Sequence, residues 1–506
     1  MDPLLLDGKP VDIDAVVSVA RQRRPVALGP AAEARMAAGR AIVLRHLDEG
    51  KPVYGLTTGL GPRATMMLPA EVLSEFSRIT VRGRAHGVGE RLGTDSVRAA
   101  MLVRAVGLGF GGAGADPAIA RQLVALLNAG VHPIVPSIGS IGAADLVLMG
   151  HIGLVMMGEG EAEFGGRVMG GGEALKEAGL SPVAVGPKDG IAIVSSNAIT
   201  VGRAALAMAD ARRLLDQATL AAALTMEGFR ANLSPFDARI SALRPAPGQA
   251  AIAEQILAYL AGGALTEPGA ARRVQDPLSI RCIAPIHGSL RAALDFAEAS
   301  IESELAGSGD NPSVIVADDV ILSNGNFHLP ALALAFDTAA IGLSQVANSI
   351  VMRAEKLLTE RLSDLPATLS PRGTTRAGMA PLLKTGQALA IEIAQLAHPV
   401  SVDSRSSADG VEDDTPNAPQ AVAKFERALE RFRLLVAIEL AVAAQAVEMA
   451  KPARLGRATG WVQASVRGAM KPLDEDRGFG RDVEAIAAML GDDALWRRAG
   501  SPPASK

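Results

Sequence analysis

The chain has 506 residues, a formal net charge of −4, 49% hydrophobic and 21% charged residues, enough to bury an ample core as two or three conventional domains or one large helical unit. The slight acidity argues against a nucleic-acid-binding surface, and the one cysteine, Cys282, rules out an intramolecular disulfide and suits a reducing compartment. The start Met1-Asp2-Pro3 lacks the basic region of a secretory signal, and the apolar stretch 434–450 is broken by Glu439 and Glu448, so a soluble cytoplasmic protein without a membrane span is expected.

In chain order, residues 1–200 are punctuated by glycine and proline, with helical patches expected at 69–81 and 118–128 between loops rich in turn formers. Tyr54, one of two tyrosines, sits in Tyr54-Gly55-Leu56-Thr57-Thr58-Gly59, where glycines let the backbone approach a ligand closely. Arg84 and His86 follow in Val81-Arg82-Gly83-Arg84-Ala85-His86-Gly87, at a passage from helix to loop. Gly107-Leu108-Gly109-Phe110-Gly111-Gly112 matches the GxGxxG spacing of dinucleotide-binding turns, but the run before it is helical rather than strand-like in character. A flexible turn is the better reading. Next comes Gly139-Ser140-Ile141-Gly142-Ala143-Ala144-Asp145-Leu146, a dense run of small residues ahead of an apolar stretch.

The second half supplies a scaffold. Stretches rich in Ala and Leu with helical periodicity run over 201–228, 288–305, 330–361, 381–397 and 418–450, lengths typical of bundles. A helix of about 30 residues spans roughly 45 Å. Helices so long and so apolar need partners on several faces, which favours an oligomer. Arg281 lies among Ile280, Cys282 and Ile283, a setting that favours burial and therefore a partner, and Lys384 is a cation on an otherwise apolar helix, where a snorkelling surface lysine remains an open alternative. The helical pattern breaks at Pro452 and Gly456. The fold class expected is mainly α: a loop-rich region 1–200, a long-helix bundle 201–455, and a C-terminal segment 456–506 whose polar tail, 501–506, is expected to be disordered. Seven histidines are scattered without metal-ligand spacing, so no metal is expected.

Read together, the Tyr54 loop, the Asp145 block with Gly158-Glu159-Gly160, Ser234-Pro235-Phe236-Asp237-Ala238-Arg239, Gln275-Asp276-Pro277-Leu278-Ser279-Ile280-Arg281-Cys282, Asp310-Asn311-Pro312, Asn324-Gly325-Asn326-Phe327-His328, and Ser401-Val402-Asp403-Ser404 with Glu412-Asp413 resemble, in order, blocks of the histidine and phenylalanine ammonia-lyases. By these motifs the chain is identified as a member of the aromatic amino-acid lyase superfamily. The resemblance implies a fumarase/aspartase-like lyase architecture, a homotetramer with a central helical bundle, and active sites shared between chains. It further implies Tyr54 as the base that removes the substrate's β-proton, Arg281 as the guanidinium that grips its carboxylate, and Glu412 as a ring-side glutamate. Arg84 and His86 fall where the family sets side-chain specificity. Asn326 and Phe327 are further candidates, the latter as an aromatic face for a cation, and Asn197 lies two residues beyond Ser195, where an asparagine beside the family's prosthetic group is expected. An unperturbed phenol has a pKa of about 10, so a tyrosinate base near neutral pH needs positive charge nearby.

One departure dominates. In the family block Gly-Ser-Val-Gly-Ala-Ser-Gly-Asp-Leu, Ala-Ser-Gly cyclises into an electrophilic methylidene-imidazolone; here one residue is missing and no Ala-Ser-Gly remains. Ser140 has the right spacing for a substitute, but its third residue is the β-branched Ile141 where glycine permits the tight turn. Leu278 and Ser195 also replace residues expected beside that group. The electrophile makes a primary amine into a leaving group, whereas a trimethylammonium has no N–H and no lone pair, and leaves as neutral trimethylamine unaided. The combination resembles the prosthetic-group-free branch, the ergothionases, and implies no cofactor and an imidazole betaine substrate, with Lys384 placed for the ring sulfur or for Glu412. A histidine ammonia-lyase that forms its cofactor irregularly, and an inactive homologue acting as a binding scaffold, remain alternatives.

Overall fold

The computed structural model describes residues 1–373 and 375–492; the polar tail 501–506 lies outside the described residues. The chain is mostly helical. It divides into two compact units that alternate along the sequence instead of following it: 1–209, 297–336 and 399–423 form the first, and 210–296, 337–398 and 424 onward the second.

In the first unit, short helices carry the core and small sheets trim its loops. All four sheets of the described residues fall here; the parallel pair Leu4–Leu6 with Val26–Leu28 and the antiparallel hairpin Ser313–Ile315 with Val320–Leu322 are two of them. The helix Thr94–Gly109 is almost wholly buried, and its two arginines are paid for by partners. Arg98 donates to Val19 O (2.9 and 3.2 Å) and Leu127 O (2.9 Å), and Arg104 forks onto Asp310 at 2.7 and 3.2 Å. Gly107, Leu108 and Gly109 are the last residues of this helix and Gly111 turns at φ +85°, so only the second half of the GxGxxG run is the expected turn. Residues 1–200 hold more helix than their glycine and proline content implied: Pro30–Asp48, Thr94–Gly109 and Leu146–Met156 join the expected patches, observed as Ala70–Arg82 and Pro117–Ala129.

In the second unit, parts of the long helices Ala198–Phe229, Ile283–Leu305, Pro330–Leu358 and Ala418–Ala450 pack with the whole of Ala380–Leu396. Alanine and leucine favour helix and leave apolar faces to bury. Pro330 opens its helix at a first-turn position where its missing N–H costs nothing, and Lys451 at φ +46° followed by Pro452 stops the last. The 189–229 segment and Pro330–Leu358 are long and apolar enough to cross a membrane by length and composition, with most of each apolar window buried. This core holds a buried ion pair. Arg353 and Glu439, both fully buried, meet at 2.5 and 2.8 Å, with Ser349 and Thr225 adding hydroxyls at 2.8 and 3.1 Å. The helical pattern breaks at Pro452 as expected, and the C-terminal segment beyond it forms two further helices, Arg457–Ala469 and Gly480–Gly491.

Candidate active site

The Tyr54 loop is fixed from beneath. Val53 and Leu56 bury themselves in an apolar cluster with Ile42, Val43 and Val314, and the Val53 carbonyl accepts from the amides of Leu56, Thr57 and Thr58 at 3.0–3.1 Å. Gly55, at φ +66°, makes the reversal that a side chain would strain. Tyr54 between these anchors is left half-buried, its Oη accepting from the Gly61 N–H at 3.0 Å.

Arg84 sits on the turn that leaves helix Ala70–Arg82. Burial holds its guanidinium below the ordinary value, while the Tyr54 phenol and the Glu412 carboxylate act the other way. The cation, the phenol and the carboxylate therefore share one electrostatic neighbourhood within the first unit. Glu412 is half-buried on a tight hairpin and accepts the Ser407 hydroxyl at 3.0 Å, with backbone bonds between the same two residues. Sequence reasoning gave Arg84 a role in substrate choice; its place beside Tyr54 was hidden, because residues thirty apart carry no local signal of proximity.

The 139–146 block folds as a fully committed turn. Asp145, wholly buried, accepts Ser140 Oγ at 2.7 Å, Thr200 Oγ1 at 2.8 Å and Thr200 N–H at 2.8 Å, and its own amide donates to Ser196 O. Burial pushes this carboxyl up against the pull of those bonds. Gln420 donates to Ser140 O at 2.7 Å, and the Asn417 amide to Ile141 O at 3.1 Å. Ala144, at φ +60°, donates its amide to Phe327 O at 3.3 Å, the same carbonyl that receives Asn197 Nδ2 at 2.7 Å. The residues do not fit a methylidene-imidazolone: Ala144 has no hydroxyl to lose, and the only serine of the block is 5% exposed with its hydroxyl given to Asp145.

Of the remaining candidates, Asn197 is 7% exposed with Oδ1 buried and unpartnered, Phe327 is half-buried, and Asn326 is exposed with its amide bound to Asn324 Oδ1 at 2.9 Å. His86 lies within electrostatic reach of His151. In the second unit, Arg281 ends the short helix Leu278–Arg281, half-buried; with the Gln275 amide oriented to present its oxygen, both Arg281 Nη atoms donate to it at 3.0 and 3.1 Å. Lys384 is exposed on helix Ala380–Leu396.

The aromatic amino acid lyase family model matches residues 11–468. A histidine ammonia-lyase of Anaeromyxobacter sp. (strain K) is 38% identical over 98% of this chain and 100% of its own length. Among solved structures, the ergothionase of Treponema denticola, an ergothioneine-degrading enzyme in complex with desmethyl-ergothioneine sulfonic acid, is 30% identical with a TM-score of 0.94 over 98% of this chain and 99% of that one. The histidine ammonia-lyase of Trypanosoma cruzi is 28% identical with a TM-score of 0.91, covering 100% of this chain and 96% of that one. Fold and motifs thus define a helical carbon–nitrogen lyase. The chain belongs to the aromatic amino acid lyase family.

Proposed function

We propose that the protein eliminates trimethylamine from an imidazole betaine, ergothioneine, giving thiourocanate without a protein-derived electrophile. The observation that carries this reading is the 139–146 turn, which holds nothing that can cyclise, in a sequence that retains Tyr54 and Arg281 in their ammonia-lyase motifs. Tyr54 as phenolate takes the β-proton; the C–H electrons become the α,β double bond as the Cα–N bond breaks, and nitrogen departs with its electron pair as trimethylamine. The fixed positive charge beside the β-carbon acidifies that proton, and the Arg84 cation stabilises the phenolate. Arg281 binds the carboxylate through its planar fork, and Glu412, Lys384, Asn197, Asn326, Phe327 and His86 are candidates for holding the rest of the substrate. On this reading the protein works in the cytoplasm as a homotetramer and needs no cofactor.

The 38% identity to a histidine ammonia-lyase favours a second reading, release of ammonia from histidine to give urocanate. One assay separates them. Purified protein is incubated with ergothioneine, hercynine and histidine, and product absorbance is followed with trimethylamine and ammonia. Turnover of ergothioneine with trimethylamine release supports the proposal; faster turnover of histidine overturns it.

A further inference from the structure

Helix Leu146–Met156 begins one residue after Asp145 and runs beneath the turn that carries Arg84. The approach is close: a Cβ on Gly150 would lie 2.9 Å from Ala85 N and 3.0 Å from the Arg84 carbonyl carbon. One residue on, His151 Nε2 accepts the Gly87 N–H at 3.1 Å. A Cβ on Gly87 would meet His151, Leu148 and Pro136, each at 3.2 Å, so the turn is seated on this helix at both ends. Its own backbone bonds, Arg84 N to Val81 O at 3.1 Å and His86 N to Arg84 O at 2.7 Å, shape the turn but do not fix it to the helix beneath.

We infer that His151 is a positioning residue for the candidate active site: by accepting the Gly87 amide it sets where the 83–87 turn lies and therefore where Arg84 stands relative to Tyr54 and Glu412. The bond requires a neutral imidazole whose proton is on Nδ1. Burial first, and then the charge of His86, hold His151 below the ordinary histidine value, which keeps Nε2 free to accept around neutral pH. Among the described residues His86 is the titratable group whose charge acts on it; Leu148 and Pro136, which crowd the same edge, are apolar. Below the depressed pKa, Nε2 gains a proton and opposes the Gly87 N–H donor.

This inference rests on the proposed elimination, so its test carries one readout that needs no activity. Amide hydrogen exchange of the peptide covering 83–91 is compared at pH 7 in the wild-type protein, His151→Gln and His151→Leu. Glutamine keeps an acceptor and leucine does not. Exchange about tenfold faster in the leucine variant, with glutamine near wild type, is expected for loss of one backbone bond; equal exchange in all three overturns the inference. Where wild type turns over ergothioneine, the leucine variant loses about tenfold in kcat/KM, and the glutamine variant recovers most of it while losing the acid limb of the pH profile. A glutamine variant that keeps the acid limb also overturns the assignment. Failure of wild type to turn over any substrate counts against the proposed reaction alone, since the exchange comparison still reads the bond.

Discussion

Ser140 gives its hydroxyl to Asp145 across 2.7 Å, inside the block from which the family's ordinary members build their electrophile. The one nucleophilic side chain of the block thus has a structural task. Intact mass of the purified protein is expected to equal that of the unmodified sequence; a deficit of two waters would show that a ring forms after all. Ser140→Ala removes one bond to a buried carboxyl and is expected to lower stability by roughly 1–2 kcal/mol in urea denaturation without changing that mass.

Tyr54→Phe is expected to abolish elimination while costing at most roughly 1 kcal/mol of stability, since only the Gly61 N–H loses its acceptor. Undiminished turnover in Tyr54→Phe would end its assignment as base.

Much of this was legible in the sequence because long apolar periodicity survives tertiary context. The stretch expected at 418–450 is the helix Ala418–Ala450, and 381–397 is Ala380–Leu396 within one residue at each end. The helix expected to reach 361 stops at Leu358, with Glu360–Ser363 resuming as a separate turn. Tertiary pairing was not legible. Nothing local announces that Arg84 shares a neighbourhood with Tyr54 and Glu412, or that His151 holds its turn, for these relations depend on chain reversals between residues far apart in number. Reading 1–200 as punctuated by glycine passed over helices such as Leu146–Met156, where Gly150 sits mid-helix because a neighbouring backbone leaves no room for a side chain.

The Arg353–Glu439 pair, fully buried and bonded through Arg353 Nε and Nη2, offers a stability test apart from the site. Arg353→Met alone strands a buried carboxylate and is expected to cost about 3–5 kcal/mol in urea denaturation, whereas Arg353→Met with Glu439→Leu removes both charges and recovers most of that loss. Single and double substitutions of equal cost would refute the pairing.

His132 supplies a pH prediction. Burial, followed by the Arg98 and Arg23 charges, lowers it to about 4, while its unfolded value is near 6.5. The unfolded chain therefore binds a proton between about 6.5 and 4 that the folded chain refuses, so stability falls as pH falls through that window and levels off below it. His287 and His151 are shifted in the same direction. His132→Gln is expected to reduce the pH slope of unfolding free energy by about one proton across that range; an unchanged slope would exclude the shift.

The commitments of the 139–146 turn also bear on history. Ser140 O, Ile141 O, the Ala144 amide and the Asp145 amide are all tied to other segments, so restoring an Ala-Ser-Gly triplet calls for an extra residue and the release of several of these ties together. No single codon change achieves that. The turn thus works as a ratchet against regaining the ring, and under the proposed reaction it leaves the chain to substrates that carry their own exit.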